Sequence, residues 1–251
     1  MIKAVIFDLG FTLVGNENFT IERYLGLIHK GINNVAKYLI EIKKIDEGLK
    51  KKLIRQFKKI RYKTYDEVFS KYVEYSTEYC LKKTFDVLNI EYDDELIHKC
   101  AGVLHVIEGD FWKPFPSTEK TLKELKKNGI KIALLSNAPY DKGIKTLLKA
   151  HNLIQYFDLI ETSANIGYAK PNPITFQTVL KQLNVKPEEA VMVGDDLLND
   201  CKGASDVGMI CIRVKKHFAF PYEIELDFEP DFTVENIGEI PEIIKKLNKI
   251  S

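Results

Sequence analysis

The chain opens on an apolar run, Lys3 to Phe7, that stops abruptly at Asp8. A short apolar run closed by a polar turn predicts a strand buried on both faces. Similar runs recur at Lys131 to Leu135, Asp158 to Thr162, Ala190 to Val193, Ile210 to Val214 and Phe232 to Val234. Between them the apolar positions change to a helical period. Helices are predicted over Glu119 to Asn128 with Gly129 as the stop, Asp141 to His151, Pro173 to Asn184, Asn199 to Val207, and from near Gly238 onward. Asn172-Pro173 has the form of an N-cap followed by proline in the first turn. Strands alternating with helices imply a parallel sheet covered on both faces.

The stretch after Gly15 is different. It is helical in period and holds no proline before Pro114, with helices predicted over Thr20 to Lys44, Asp46 to Lys63, Tyr65 to Asn89 and Asp93 to Glu108. Four helices with short connections make a bundle. The expected organisation is an α/β core of residues 1–15 and 114–251, interrupted by a helical block of residues 16–113. Phe69, Tyr72, Val73, Ser76, Tyr79 and Cys80 are read as one stripe packed inside the bundle rather than as a ligand-facing surface. The lysine-rich stretch Lys50 to Lys63 is read as a solvated helix face.

Composition narrows the function classes. A chain of 251 residues, 45% hydrophobic, can bury a full core. A formal charge of +1 gives no electrostatic footprint for nucleic acid. No run of eighteen apolar residues and no signal-peptide pattern occurs, so a soluble, cytoplasmic protein without membrane partners is expected. Cys80, Cys100, Cys201 and Cys211 lack CxxC spacing and are expected to be reduced thiols rather than metal ligands. Lys215 to Phe232, with Phe218, Phe220, Tyr222 and Phe228, could form an edge or an interface but is read as simple packing of the last strand and the terminal helix; oligomeric state is not legible.

In an open parallel sheet, ligands bind at the carboxyl ends of the strands. At or just beyond four of those ends stand Asp8-Leu9-Gly10-Phe11-Thr12, Ser136-Asn137, Lys170-Pro171, and Gly194-Asp195-Asp196 with Asp200 behind it. Singly, most of these are ordinary turn chemistry. The acidic run says more, because three carboxylates within six positions repel one another unless a cation or a network compensates. Helix capping by Asp195 or Asp196 is the competing explanation. The order of the four, with Tyr156-Phe157-Asp158, Gly167-Tyr168-Ala169 and Gly208-Met209 around them, resembles the signature motifs of the haloacid dehalogenase-like hydrolase superfamily. The resemblance is nearly continuous from Pro114 to Met209 and only architectural in the helical block.

It implies a Rossmann-like three-layer core with an α-helical cap inserted after the first motif, and phosphatase chemistry on a small phosphorylated metabolite. Asp8 would be the nucleophile that becomes a phospho-aspartate, since a carboxylate attacks without needing a base. Lys170 would neutralise charge and Ser136 would hydrogen-bond the phosphate, with Thr12 and Asn137 completing the substrate contacts. Mg2+ would be held by Asp8, the main-chain carbonyl of Gly10 and Asp195, supported by Asp196 and Asp200. Gly10 is the departure. Phosphatases of this family carry there an aspartate that protonates the leaving oxygen, and its loss removes acid-base help of about 10²- to 10⁴-fold. Two other readings follow: a slow or silent member that binds a phosphate compound or a protein partner through its cap, and a metal-independent 2-haloacid dehalogenase. The acidic cluster disfavours the second, because it would repel a carboxylate substrate and the departing halide.

Overall fold

The computed structural model describes residues 1–215 and 226–250. β1 (Ala4–Phe7) is followed by β2 (Val14–Gly15) and then by four helices, α1 (Ile21–Glu41), α2 (Glu47–Lys71), α3 (Thr77–Leu88) and α4 (Asp94–His105). β3 (Lys113–Pro114) returns the chain and pairs antiparallel with β2, tying together the two passages that join the helices to the sheet. The rest alternates: α5 (Thr118–Lys127), β4 (Lys131–Ser136), α6 (Asp141–Ala150), β5 (Leu159–Thr162), α7 (Ser163–Ile166), α8 (Pro173–Leu183) and β6 (Ala190–Gly194). A π-helical turn over Leu197–Lys202 leads into α9 (Gly203–Asp206), β7 (Ile210–Val214), β8 (Phe232–Val234) and α10 (Ile240–Ile250).

Six strands form one parallel sheet in the order β5-β4-β1-β6-β7-β8, giving an α/β fold with helices on both faces. β1 lies at the centre because every one of its residues is apolar and can be buried on either side. Val5 and Phe7 point to the face covered by α5, α6 and α10, while Ala4 and Ile6 point to the face covered by α8 and α9. Its register sets Phe7 beside Leu134 and Val193, so Asp8, Ser136 and Asp195 emerge at the same edge of the sheet. Asn172 caps α8 ahead of Pro173, in the form the sequence predicts.

The four helices bury a separate apolar cluster built on Ile32, Leu39, Phe57, Leu81, Phe85 and Ile97. Each starts on a residue whose side-chain oxygen accepts from a backbone N–H one turn on: Thr20, Asp46, Ser76 and Asp93. α1 and α4 touch closely enough at Gly31 that a Cβ there would lie 2.3 Å from the Leu104 carbonyl oxygen. The predicted break after Lys63 is wrong. α2 runs on to Lys71 and ends at Tyr72, whose backbone is left-handed. The chain then becomes extended and pairs with the core: Val73 bridges Tyr168, Ala169 donates to the Tyr72 carbonyl, and Glu74 donates to the Gly167 carbonyl. The predicted stripe from Phe69 to Cys80 therefore does not exist. Phe69 is 63% exposed, Ser76 is a cap, and only Cys80 of the six is buried. Lys51, Lys52 and Lys59 do face solvent on α2.

The expectation of reduced thiols also needs correction: Cys201 and Cys211 are joined as a disulfide between the π-helical turn and β7, while Cys80 and Cys100 are free and buried. Phe218, Phe220 and Tyr222 lie outside the described residues. Among the described residues no helix is long and apolar enough to cross a membrane.

Candidate active site

Four strand ends converge on one buried charge cluster. Lys170 follows α7 in the loop before α8, and its ammonium is almost fully buried. Nζ donates to Asp8 Oδ1 at 2.8 Å, to Asp200 Oδ1 at 2.6 Å and to the Leu135 carbonyl at 2.8 Å, which uses all three of its protons. Burial alone would lower its pKa, but the carboxylates of Asp200 and Asp8 outweigh this and hold it above the ordinary lysine value. Oxygens of Asp8, Asp195 and Asp200 all lie within 4.8 Å of one another. Among the described residues one lysine meets three carboxylates. Burial, together with Asp8, Asp195 and Asp196, pushes the Asp200 carboxyl well above the usual range despite its contact with Lys170. A buried set of hard oxygen donors is the kind of site that suits a hard divalent cation.

A cavity of about 660 Å³ opens onto this cluster, with Asp8, Gly10, Ser136, Lys170 and Asp195 in its floor. Helical residues close its other side: Tyr24 from α1, His105 from α4, and Val106, Glu108 and Trp112 from the return passage. The His105 ring stacks on Tyr140 at 4.7 Å, so the helical block meets the core across the cavity. A second connection runs from Glu74 to Ser163, whose hydroxyl donates at 2.7 Å. Burial raises the Glu74 carboxyl above its ordinary value, in the face of opposing pulls from Arg61 and Ser163.

A family model described as "haloacid dehalogenase-like hydrolase" matches residues 2–208. The chain belongs to this family. It is 28% identical to the glyceraldehyde 3-phosphate phosphatase of Methanocaldococcus jannaschii over 253 residues, covering 99% of this chain and 100% of that one. It is 25% identical to the pyrophosphatase PpaX of Bacillus thuringiensis over 248 residues, covering 99% of each chain. The 2-haloacid dehalogenase of Pseudomonas syringae pv. Tomato shares its fold, with a TM-score of 0.69, 22% identity and coverage of 98% of this chain and 100% of that one.

In this haloacid dehalogenase-like hydrolase, Asp8, Gly10, Ser136, Asn137, Lys170, Asp195, Asp196 and Asp200 all line the cavity, but three of the residues expected there are differently employed. Thr12 is buried and directs its hydroxyl at Asp195 Oδ1, 3.4 Å away, so it supports a carboxylate and does not reach into the cavity. Asn137 clamps the lysine loop: its Nδ2 donates to the Lys170 carbonyl at 2.9 Å and its Oδ1 accepts from the Lys170 N–H at 2.8 Å. Asp196 caps the π-helical turn, accepting from the Leu198 and Asn199 N–H groups, and stands apart from the three clustered carboxylates. Capping therefore accounts for Asp196, and charge clustering for Asp195 and Asp200.

The turn after β6 holds Asp200 against Lys170, and the fit there is tight. A Cβ on Gly194 would sit 2.1 Å from Asp200 Oδ2. Gly194→Ala is expected to cost about 1–3 kcal/mol in urea unfolding, because a fully enclosed carboxylate cannot step aside. Wild-type stability would mean that Asp200 is not fixed in this position.

Proposed function

We propose that the protein is a phosphatase acting on a small phosphorylated compound through an aspartyl-phosphate on Asp8. The observation that carries this reading is the Lys170 ammonium bound between Asp8 and Asp200, with Asp195 alongside. Lys170 holds the Asp8 carboxylate in place, and the Leu135 carbonyl fixes the ammonium in turn. Ser136, at the end of β4 and lining the cavity, would donate to a phosphate oxygen. Mg2+, when bound by Asp8, Asp195, Asp200 and the Gly10 carbonyl, would offset charge between nucleophile and phosphate. Residues 16–113 would act as a lid whose closure excludes water. The names of the relatives in Methanocaldococcus jannaschii and Bacillus thuringiensis, both phosphate-releasing enzymes, support the reaction class.

Two measurements test this. Mg2+-dependent release of p-nitrophenol from its phosphate is expected, against no chloride from 2-chloropropionate; the reverse result would make the chain a dehalogenase, and neither would make it a binding protein. Asp195→Asn is expected to weaken Mg2+ binding by about tenfold or more in calorimetry, a loss of about 1.4 kcal/mol. Unchanged affinity would remove Asp195 from the metal site.

A further inference from the structure

The wall of the cavity beside residue 10 is aromatic, and the proposed reaction makes no use of it. A carbon built on Gly10 would meet only Trp112 Cη2, at 3.9 Å, so the edge of the indole borders the backbone next to the nucleophile. Phe11 packs edge-on against Trp112 at 5.4 Å and Tyr24 does so at 6.2 Å. Phe111 and Phe19 pack on the same indole at 5.3 and 6.1 Å. The wall is thus braced from both passages between the core and the helices. Ile144 and Leu147 of α6 continue the apolar lining.

Two histidines beside this wall already have protein partners. His105 Nδ1 lies 3.0 Å from Glu108 Oε1 and its Nε2 lies 2.8 Å from Thr77 Oγ1. His151 Nε2 is 3.2 Å from the Trp112 carbonyl. Among the described residues at the strand ends, Lys170 has committed all three protons and residue 10 has no side chain. A phosphate ester of an alkyl alcohol needs an acid for its alkoxide, and residue 10 offers none. A phosphate ester of a phenol needs no such acid, because an aryloxide leaves without a proton in the transition state, and its ring can pack edge-to-face against the aromatic wall.

We infer that the substrate is an aryl phosphate, seated with its phosphate at Asp8 and its ring against Trp112. This rests on the phosphatase reading and goes beyond it in naming the leaving group. An Asp8 carboxylate oxygen forms a bond to phosphorus as the bond from phosphorus to the aryl oxygen breaks. The electron pair departs on the aryloxide, which takes its proton from solvent. Water then attacks phosphorus, releasing phosphate and restoring Asp8.

Trp112 is the chain's single tryptophan, so its fluorescence reports on this wall alone. Titration with 4-nitrophenylphosphonate, which cannot be hydrolysed, should quench that emission saturably in the presence of Mg2+. By calorimetry it should bind about tenfold more tightly than methylphosphonate. Trp112→Ala should weaken the nitrophenyl ligand about tenfold more than the methyl one, and Trp112→Phe should restore most of that difference. In steady state, kcat/KM for phenyl phosphate should exceed that for glycerol 1-phosphate and for pyrophosphate by about 10²-fold. Absence of quenching, equal binding of the two phosphonates, an equal effect of Trp112→Ala on both, or a preference for pyrophosphate or glycerol 1-phosphate would overturn the inference. If no phosphate compound is hydrolysed, the phosphatase reading fails, while quenching and the phosphonate affinities still decide whether an aryl site exists.

Discussion

Replacing Asp8 by asparagine is expected to abolish phosphate release, lowering kcat by about 10³-fold or more. An amide oxygen is a poor nucleophile, and the change also removes one of the two carboxylates that hold Lys170. The fold should survive, because an asparagine Oδ1 can still accept from Nζ and Asp200 remains as the counter-ion. Circular dichroism and urea unfolding close to wild type, together with loss of turnover, would assign the defect to chemistry. Activity close to wild type would show that another residue attacks phosphorus.

Gly10→Asp is the converse change and should create activity. The backbone at residue 10 lies outside the left-handed region, and the nearest atom to a new Cβ is Trp112 Cη2 at an ordinary contact distance of 3.9 Å. A Cβ can therefore enter without strain. On phosphate esters of alkyl alcohols, whose leaving oxygen needs a proton, turnover should rise about tenfold or more, each tenfold corresponding to about 1.4 kcal/mol of barrier. On phenyl phosphate it should hardly change. Steady-state rates of both proteins on glycerol 1-phosphate and phenyl phosphate at saturating Mg2+ check this. A wild-type protein that already hydrolyses glycerol 1-phosphate rapidly, and gains nothing from Gly10→Asp, would mean that another group supplies the proton.

The centre of the sheet is legible in the sequence because its strands are continuous apolar runs buried on both faces, as in Ala4 to Phe7 and Ala190 to Gly194. Asp8 and Asp195 are legible because they fall where strands stop. What escapes depends on contacts between distant segments. Tyr65 to Asn89 has helical spacing throughout, yet Tyr72 to Ser76 leaves the helix because the Gly167 to Ala169 segment offers an extended partner. Asp196 and Asp200 are equivalent on paper; the path of the π-helical turn sends one to backbone N–H groups and the other to Lys170. Trp112 looks like a linker residue in sequence, and only the return of the chain beside β2 brings it to Gly10. The aromatic neighbours Phe111 and Trp112, so close to Pro114, were the available signal.

The central claim is that Asp8 carries the phosphoryl group. Acid quenching of the Mg2+-loaded protein during the first turnover of radiolabelled phenyl phosphate, followed by peptide mapping, tests it most directly. The account predicts a hydroxylamine-labile phosphoryl group on the peptide containing Asp8, absent from the Asp8→Asn protein. Turnover with no label on that peptide, or with label on another residue, would contradict it.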